Sequence, residues 1–296
     1  MKRILLAILS SNQNLYTRNT NSLKHMYKQI IDMYSMDIDV ISYTASGISG
    51  IDGIQGDTLF VDCDDKDLNA KSIALGKYIG CHPEYDVVIK TNCSTVLNLP
   101  MLNFFVNSDN FHDDIVYGSS FIEGLPGVIM EGDGVDEYIK DKMVYIRGTF
   151  TMMDTKLFLN TIGNEQIYTA TMQRIASYKW APTIPPYGND CENYFTGIPD
   201  DMVWGVILYL KSINLAVFEG LSFSNLQCEN GIHIYSHDID ILDHAVFYEI
   251  NTQSDYNIRA NVEPMIIELV AKYFTTHHMT KENYLSMLSS IKTYSI

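Results

Sequence analysis

Short apolar runs alternate, in the first third of the chain, with longer segments in which apolar residues recur every three or four positions. The run at residues 3–9 is almost wholly apolar, residues 58–61 and 86–90 form shorter apolar runs, and residues 37–43 are apolar at four of seven positions. Helical spacing follows the first run, at Leu23, Met26, Tyr27, Ile30, Ile31 and Tyr34. The runs predict buried strands, and the spaced segment predicts an amphipathic crossover helix.

Further helices are predicted at residues 68–79 and 101–106, so strands and helices alternate. This alternation indicates an α/β fold with a mostly parallel central sheet flanked by helices. In such sheets ligands bind at the carboxyl ends of the strands. The loop at residues 91–98, which follows the strand at 86–90, is therefore expected at the binding edge.

The second half of the chain is less regular and predicts an antiparallel portion. A helix is predicted to begin near Asp200, and two more are predicted at residues 262–274 and 281–291. Strands are predicted at residues 115–117, 143–147, 149–153, 215–218, 232–235 and 245–250. A single domain over residues 1–296 is expected.

Composition and charge narrow the classes of function. With 46% hydrophobic residues, the 296-residue chain can bury a large core. The net charge of −16, from 20 Lys and Arg against 36 Asp and Glu, opposes general binding to nucleic acid or to anionic membranes. A small anionic ligand would need a local basic pocket.

The cysteines and the apolar runs bear on location. Five scattered cysteines, Cys63, Cys81, Cys93, Cys191 and Cys228, favour free thiols in a reducing compartment. The first apolar run is short and is followed by polar residues, which favours a strand over a signal peptide. No run approaches the roughly 20 apolar residues of a membrane span. We therefore expect a cytoplasmic protein without membrane insertion.

Residues 86–98 carry the first chemical motif. It comprises Lys90, Thr91, Asn92, Cys93 and Ser94, followed by Val96, Leu97 and Asn98. The segment resembles the central motif of GT-A fold glycosyltransferases, especially the β1,3-glycosyltransferase and Fringe group. That motif runs lysine, threonine, three aspartates, an apolar run and asparagine. Here Asn92, Cys93 and Ser94 stand where the family has its aspartates.

The resemblance implies a site for a nucleotide-sugar whose diphosphate the family binds through Mn²⁺ or Mg²⁺. Hard cations seek anionic oxygens, and Asn92 and Ser94 offer only neutral ones. The resemblance therefore implies a metal-independent enzyme, in which basic side chains offset the leaving charge. The candidate cations are Lys90, Lys142, Arg147 and Arg259. If a metal ion is bound, Asn92, Ser94 and His237 are the expected ligands.

A second motif begins at Pro199 and continues through Asp200 and Asp201 into an apolar helix with Gly205. It resembles the family pattern of proline, two aspartates, variable residues and glycine. The resemblance implies that Asp201 is the general base that deprotonates the acceptor hydroxyl, with Asp200 as the alternative. Aspartates at a helix start also cap free backbone N–H groups, so capping remains an open interpretation of both.

Two weaker resemblances complete the candidate site. The segment at residues 145–152 is similar to an aromatic and glycine strand of the family, with Gly148 allowing close approach of substrate; Arg147 lies beside it. The first strand is similar to the family's nucleotide-binding strand, so Ser10 and Ser11 are expected at the base or ribose. Lys90, Thr91, Asn92 and Ser94 complete the expected substrate-binding set.

An acidic turn competes for a metal ion. Asp62 and Asp64 follow a predicted strand with Asp-x-Asp spacing. They would bind the metal ion if the chain were instead an unrelated α/β nucleotide hydrolase. A solvated turn is the other interpretation.

Together the resemblances imply a hexosyltransferase that moves a sugar, UDP-linked in the donor, onto a glycan or glycoprotein hydroxyl with inversion. Residues 1–110 are expected to bind the nucleotide-sugar, 111–260 to hold the acceptor and catalytic half, and 261–296 to form C-terminal helices. The setting expected is a bacterial cytoplasm or a virus factory in a host cell. The alternative is a catalytically inactive relative that binds a sugar or nucleotide.

Overall fold

The computed structural model describes most of the first 118 residues and separate segments beyond them. The described residues are 1–47, 50–118, 121–123, 129–130, 144–146, 148, 150–176, 179–180, 200–218, 247–249, 264, 267–270, 272–274 and 280–294. The helices are α1 (Asn14–Tyr34), α2 (Leu68–Gly80), α3 (Leu99–Val106), α4 (Thr155–Asn160), α5 (Glu165–Ala176), α6 (Asp200–Leu210) and α7 (Lys281–Ser289). The strands are β1 (Ile4–Leu9), β2 (Ile38–Ala45), β3 (Gly53–Gln55), β4 (Thr58–Val61), β5 (Val87–Asn92), β6 (Thr95–Leu97), β7 (Ile115–Gly118), β8 (Phe121–Glu123), β9 (Ile129–Met130), β10 (Val144–Ile146), β11 (Phe150–Asp154), β12 (Lys179–Trp180), β13 (Asn214–Phe218), β14 (Phe247–Glu249) and β15 (Ile291–Tyr294).

A nine-stranded sheet forms the centre, in the order β15-β13-β7-β11-β5-β1-β2-β4-β3. Strand β1 pairs in parallel with both β2 and β5, and β2 pairs in parallel with β4. Strand β11 runs antiparallel between β5 and β7, while β13 is parallel to β7. The prediction of a mixed α/β fold with a mostly parallel central sheet flanked by helices is confirmed.

The parallel register brings three strand ends to one edge. Leu9, the last residue of β1, is paired with Tyr43 of β2 and with Asn92 of β5. The amide of Cys93 then donates to the carbonyl of Leu9 at 3.1 Å. The loops that follow β1 and β5 therefore begin side by side, at the edge where α/β proteins bind ligands.

Alternation along the strands divides the core into two layers. In β1, Ile4, Leu6 and Ile8 pack with α1 and α3 on one face, while Leu5 and Ala7 pack with α2 and α6 on the other. Each strand side chain is thus assigned to a helical layer by its position alone. In β5 the same alternation places Lys90 on the face that Val88 shares with α6.

Several elements depart from the sequence predictions. Helices α4 and α5 were not predicted, and the predicted loop at residues 91–98 contains the short strand β6. The last predicted helix ends earlier, because residues 291–294 pair with β13 as strand β15. The predicted strand at residues 232–235 lies outside the described residues. Among the described helices, none is both long and apolar enough to cross a bilayer.

Candidate active site

A buried ion pair joins the two sequence motifs. Lys90 Nζ lies 3.2 Å from Asp200 Oδ2, and the two side chains are 2% and 5% exposed. The same ammonium donates to the carbonyl of Gly148 at 2.9 Å and lies 5.1 Å from the centre of the Trp204 ring. The ion pair therefore connects the first residue of α6 to β5, the middle strand of the sheet.

Asp200 has two further sources of stabilisation. Ser72, on α2, donates its hydroxyl to Asp200 Oδ2 at 3.1 Å. Asp200 also begins α6, where the positive end of the helix dipole favours a carboxylate. Because a lysine, a serine and a helix terminus all hold this carboxylate, we interpret Asp200 as a positioning residue.

Asp201 has a different environment from its neighbour. It is partly buried, and its carboxylate accepts backbone N–H groups from Met202 at 2.9 Å and Gly148 at 3.2 Å. Burial raises the pKa of Asp201, and the charge of Asp200 raises it further, against the opposing charge of Lys90. A carboxylate with a raised pKa is the stronger proton acceptor, which suits Asp201 to the role of general base.

Gly148 connects Lys90 and Asp201 through its backbone. Its carbonyl accepts from Lys90 while its amide donates to Asp201. A Cβ at this position would lie 3.3 Å from Lys90 Nζ and 3.6 Å from Asp201 Oδ2. The distance to Lys90 is tight and the distance to Asp201 is an ordinary contact, so the absence of a side chain matters chiefly for the close approach of the backbone to Lys90.

The turn after β5 is organised by Asn92. Its Oδ1 atom accepts from the Ser94 amide at 3.1 Å, the Ser94 hydroxyl at 3.0 Å and the Thr95 hydroxyl at 2.6 Å. Since a backbone N–H can only donate, the oxygen end of the amide is fixed toward the turn. The remaining end of Asn92 is an NH₂ group, which donates to anions and does not bind cations.

The predicted nucleotide-binding serines lie at the end of β1. Ser10 is buried, and its hydroxyl lies 2.7 Å from that of Thr20 on α1. Ser11 is partly buried and donates its hydroxyl to Asp65, which follows β4. The two side chains are thus held by different parts of the fold at the carboxyl edge.

The remaining predicted residues divide into two groups. Thr91 is fully buried, and because it follows Lys90 directly in β5, it lies on the other face of the sheet. Arg147, His237, Lys142 and Arg259 lie outside the described residues. Across the part of the chain that is described, His, Cys, Asp and Glu side chains nowhere gather in a group of three that could hold a metal ion.

The competing acidic turn has local partners. Asp62 accepts from the Gly50 amide at 3.0 Å, and Asp64 accepts from the Lys66 amide at 2.8 Å. Both residues are exposed. Hydrogen bonds of this kind are typical of carboxylates that stabilise a turn.

Four residues near the predicted site were not singled out from the sequence: Asp65, Lys71, Ser72 and Trp204. One signal was present for Lys71, which stands at i, i+4 and i+8 spacing with Leu75 and Ile79 on the buried stripe of α2. A lysine on an apolar stripe indicates a buried, paired ammonium. Ser72 and Trp204 had no comparable signal.

Comparison with known proteins gives fold likenesses and no family. No family model matches the chain, and no curated protein matches it significantly. The solved structure of the galactosyltransferase LgtC with donor and acceptor sugar analogues is similar with a TM-score of 0.43 and 11% identity, over 96% of this chain and 99% of that one. A glycosyltransferase involved in glycosylation of the major capsid of PBCV-1 has a TM-score of 0.37 and 10% identity, over 88% of this chain and 99% of that one.

The glycosyltransferase GlyE of Streptococcus pneumoniae TIGR4 is also similar, with a TM-score of 0.43 and 10% identity. The match covers 98% of this chain and 62% of that one. Because identities and scores of this size are low, a functional conclusion depends on the residues of the site.

Proposed function

We propose that the chain is a glycosyltransferase that moves a sugar from a UDP-linked donor onto a hydroxyl of a glycan or protein. The observation that carries this proposal is the pair of unlike carboxylates at the start of α6. Asp200 is held by Lys90 and Ser72, which leaves Asp201 with a raised pKa beside Gly148. Adjacent carboxylates in different environments are a common basis for dividing structural and proton-transfer roles.

In the proposed reaction, Asp201 accepts the proton of the acceptor hydroxyl while the hydroxyl oxygen attacks the anomeric carbon. The bond from that carbon to the diphosphate oxygen breaks, and UDP leaves from the opposite face. Each transfer therefore inverts the configuration at the anomeric carbon. Asp200 takes no part in the proton transfer, since its charge is needed to balance the buried ammonium of Lys90.

The leaving diphosphate is the second half of the proposal. The two N–H donors of the Asn92 amide lie at the end of β5, while the Ser94 hydroxyl already donates to Asn92 Oδ1. The charge of Lys90 is balanced by Asp200, so Arg147, Lys142 and Arg259 remain the candidate cations. We propose that these donors and cations stabilise the leaving group electrostatically.

A divalent ion does not suit the Asn92 turn. Asn92 Oδ1 already accepts three hydrogen bonds, which leaves little capacity for a metal bond. Metal binding through Asn92, Ser94 and His237 would require this turn to rearrange. We therefore propose a transferase whose activity persists without Mn²⁺ or Mg²⁺.

Release of the nucleotide from a panel of UDP-, GDP- and CMP-sugars, as UDP, GDP or CMP respectively, tests the proposed activity. Each donor is incubated with the protein in EDTA and in Mn²⁺, and the products are identified by mass spectrometry. Release of UDP at equal rates in both conditions supports the proposal. Release only with Mn²⁺ contradicts metal independence. Absence of release from every donor contradicts the proposal that the chain is a glycosyltransferase.

A non-catalytic sugar- or nucleotide-binding protein is the second candidate. It is favoured by one observation: both carboxylate oxygens of Asp201 accept backbone N–H groups, as in a purely structural cap. Calorimetry with UDP and UDP-sugars, read together with the release assay described above, separates the two candidates. Such a protein binds UDP or a UDP-sugar without releasing UDP, whereas an enzyme does both.

A further inference from the structure

Lys71 is a buried lysine that the proposed mechanism does not use. It lies on α2 with its side chain 1% exposed. Its ammonium donates to the carbonyl of Asp65 at 2.6 Å, to Asp65 Oδ1 at 2.9 Å and to the carbonyl of Ser10 at 3.3 Å. These acceptors use all three N–H groups of the ammonium, so Lys71 joins α2 to the ends of β4 and β1.

Asp65 extends this connection into the loop after β1. Its Oδ2 atom accepts the hydroxyl of Ser11, and its Oδ1 atom accepts the amide of Asn12 at 3.3 Å. The hydroxyl of Ser11 in turn accepts the amide of Gln13 at 3.3 Å. One ion pair thus orders the backbone from Ser10 to the start of α1.

The electrostatics of Asp65 fit this role. Burial opposes its charge, but the hydrogen bonds from Ser11 and Lys71 outweigh burial and lower the pKa of Asp65. The carboxylate therefore stays ionised at neutral pH. A buried ammonium with one carboxylate partner is costly to desolvate, so the arrangement is better explained by the loop that it holds than by stability alone.

We propose that Lys71 is a positioning residue that, through Asp65, holds residues 10–13 in the conformation that binds the nucleotide of the donor. The proposal rests on the function given above, because it assigns residues 10–13 to the nucleotide. Lys71 itself touches no substrate. Removal of the Lys71 side chain should weaken binding of the donor and leave binding of the acceptor and proton transfer at Asp201 unchanged.

Hydrogen exchange tests the effect on the loop without any ligand. In Lys71→Met the amides of residues 10–13 should exchange faster than in the wild type, while those of β7 stay unchanged. Lys77→Met is the matched control, because Lys77 lies on the same helix in an exposed pair with Glu165. Unchanged exchange at residues 10–13 in Lys71→Met overturns the proposal.

Asp65→Asn provides a second variant in case Lys71→Met does not fold, since it keeps the backbone carbonyls that Lys71 binds. In Asp65→Asn the amides of residues 10–13 should also exchange faster than in the wild type. Equal exchange in the wild type and in both variants would contradict the positioning role.

Calorimetry with UDP tests the consequence for the donor. Lys71→Met and Asp65→Asn should raise the Kd for UDP by about tenfold or more, the change expected for loss of a hydrogen bond to a charged group. The KM for the acceptor and kcat at saturating donor should not change. Equal UDP affinity in the wild type and both variants overturns the nucleotide role.

Absence of UDP binding by the wild type contradicts the proposed function and this nucleotide role together. The exchange experiment still decides whether Lys71 holds the loop.

Discussion

Lys90 Nζ lies 3.2 Å from Asp200 Oδ2 in a region where both side chains are almost wholly buried. The pair connects the strand that ends in the Asn92 turn to the helix that begins with the two aspartates. It also places Gly148 between Lys90 and Asp201. The geometry of the proposed base therefore depends on a lysine that is itself shielded from substrate.

Lys90→Met should lower the free energy of unfolding by about 3–5 kcal/mol, the usual result of leaving a buried charge without its partner. The methionine fills a similar volume but leaves Asp200 uncompensated beside Asp201. Urea unfolding followed by circular dichroism measures the change. Lys77→Met, which removes an exposed ion pair with Glu165, should change stability by no more than about 1 kcal/mol.

Asp200→Leu combined with Lys90→Met should recover part of the lost stability, since no uncompensated charge remains. A double variant as unstable as the sum of the single variants would show that the two side chains are not coupled.

Activity should depend on the protonation of Asp201. Because the pKa of Asp201 is raised by burial and by Asp200, kcat/KM should rise with pH through an apparent pKa above about 3.9, the ordinary value for aspartate. A profile that is flat through the acidic range contradicts a base role for this carboxyl.

The raised pKa of Asp201 also makes the stability of the fold depend on pH. The folded protein binds the Asp201 proton more tightly than the unfolded chain does, so this contribution favours the folded state fully below the unfolded pKa. It is lost as pH rises through the folded pKa. Thermal unfolding at several pH values should therefore show the wild type losing stability relative to Asp201→Asn as pH increases.

Gly148→Ala should reduce kcat more than it reduces stability. The added Cβ would meet Lys90 Nζ at 3.3 Å, closer than a Cβ normally approaches its neighbours, and Asp201 Cβ at 3.5 Å. Lys90 Nζ would have to move by a few tenths of an ångström, and because it binds both Asp200 and the carbonyl of Gly148, the shift would be passed to the start of α6, where Asp201 lies. Steady-state kinetics and thermal unfolding of the variant give the comparison; loss of stability with full kcat would place Gly148 outside the site.

Asn92→Asp restores one carboxylate of the family motif. The turn should persist, because aspartate Oδ1 can accept the bonds from Ser94 and Thr95. The other oxygen replaces an NH₂ donor with a negative charge, so the KM for the donor should rise in EDTA and fall again with Mn²⁺. A lower KM in EDTA would contradict the proposed donor role of Asn92.

Much of the first half of the fold could be predicted because its strands are short apolar segments and its helices α1 and α2 have apolar residues at helical spacing. The predicted strand at 58–61 is β4 as observed, and the predicted helix at 68–79 differs from α2 by one residue. Helix α5 was missed because many of its residues are polar and its buried face, which includes Tyr168 and Ile175, is narrow.

The site was only half predictable from sequence. The motifs single out Asp200, Asp201, Lys90 and Gly148 as candidates, but they do not show that Lys90 pairs with Asp200. That pairing depends on α6 crossing the face of β5, which is a tertiary contact between residues 110 positions apart. The turn-forming role of Asn92 likewise requires coordinates, since an asparagine after a strand is equally compatible with ligand binding.

Turnover and binding by Asp201→Asn test the central claim most directly. UDP release from the best donor, in the presence of acceptor, is measured for the wild type, Asp201→Asn and the exposed-turn control Asp62→Asn, with UDP affinity measured in parallel. We predict that Asp201→Asn binds UDP normally but loses at least about a hundredfold in kcat, the scale of a general base, while Asp62→Asn matches the wild type. Full turnover by Asp201→Asn, or loss of turnover only in Asp62→Asn, would contradict the assignment of Asp201 as the base.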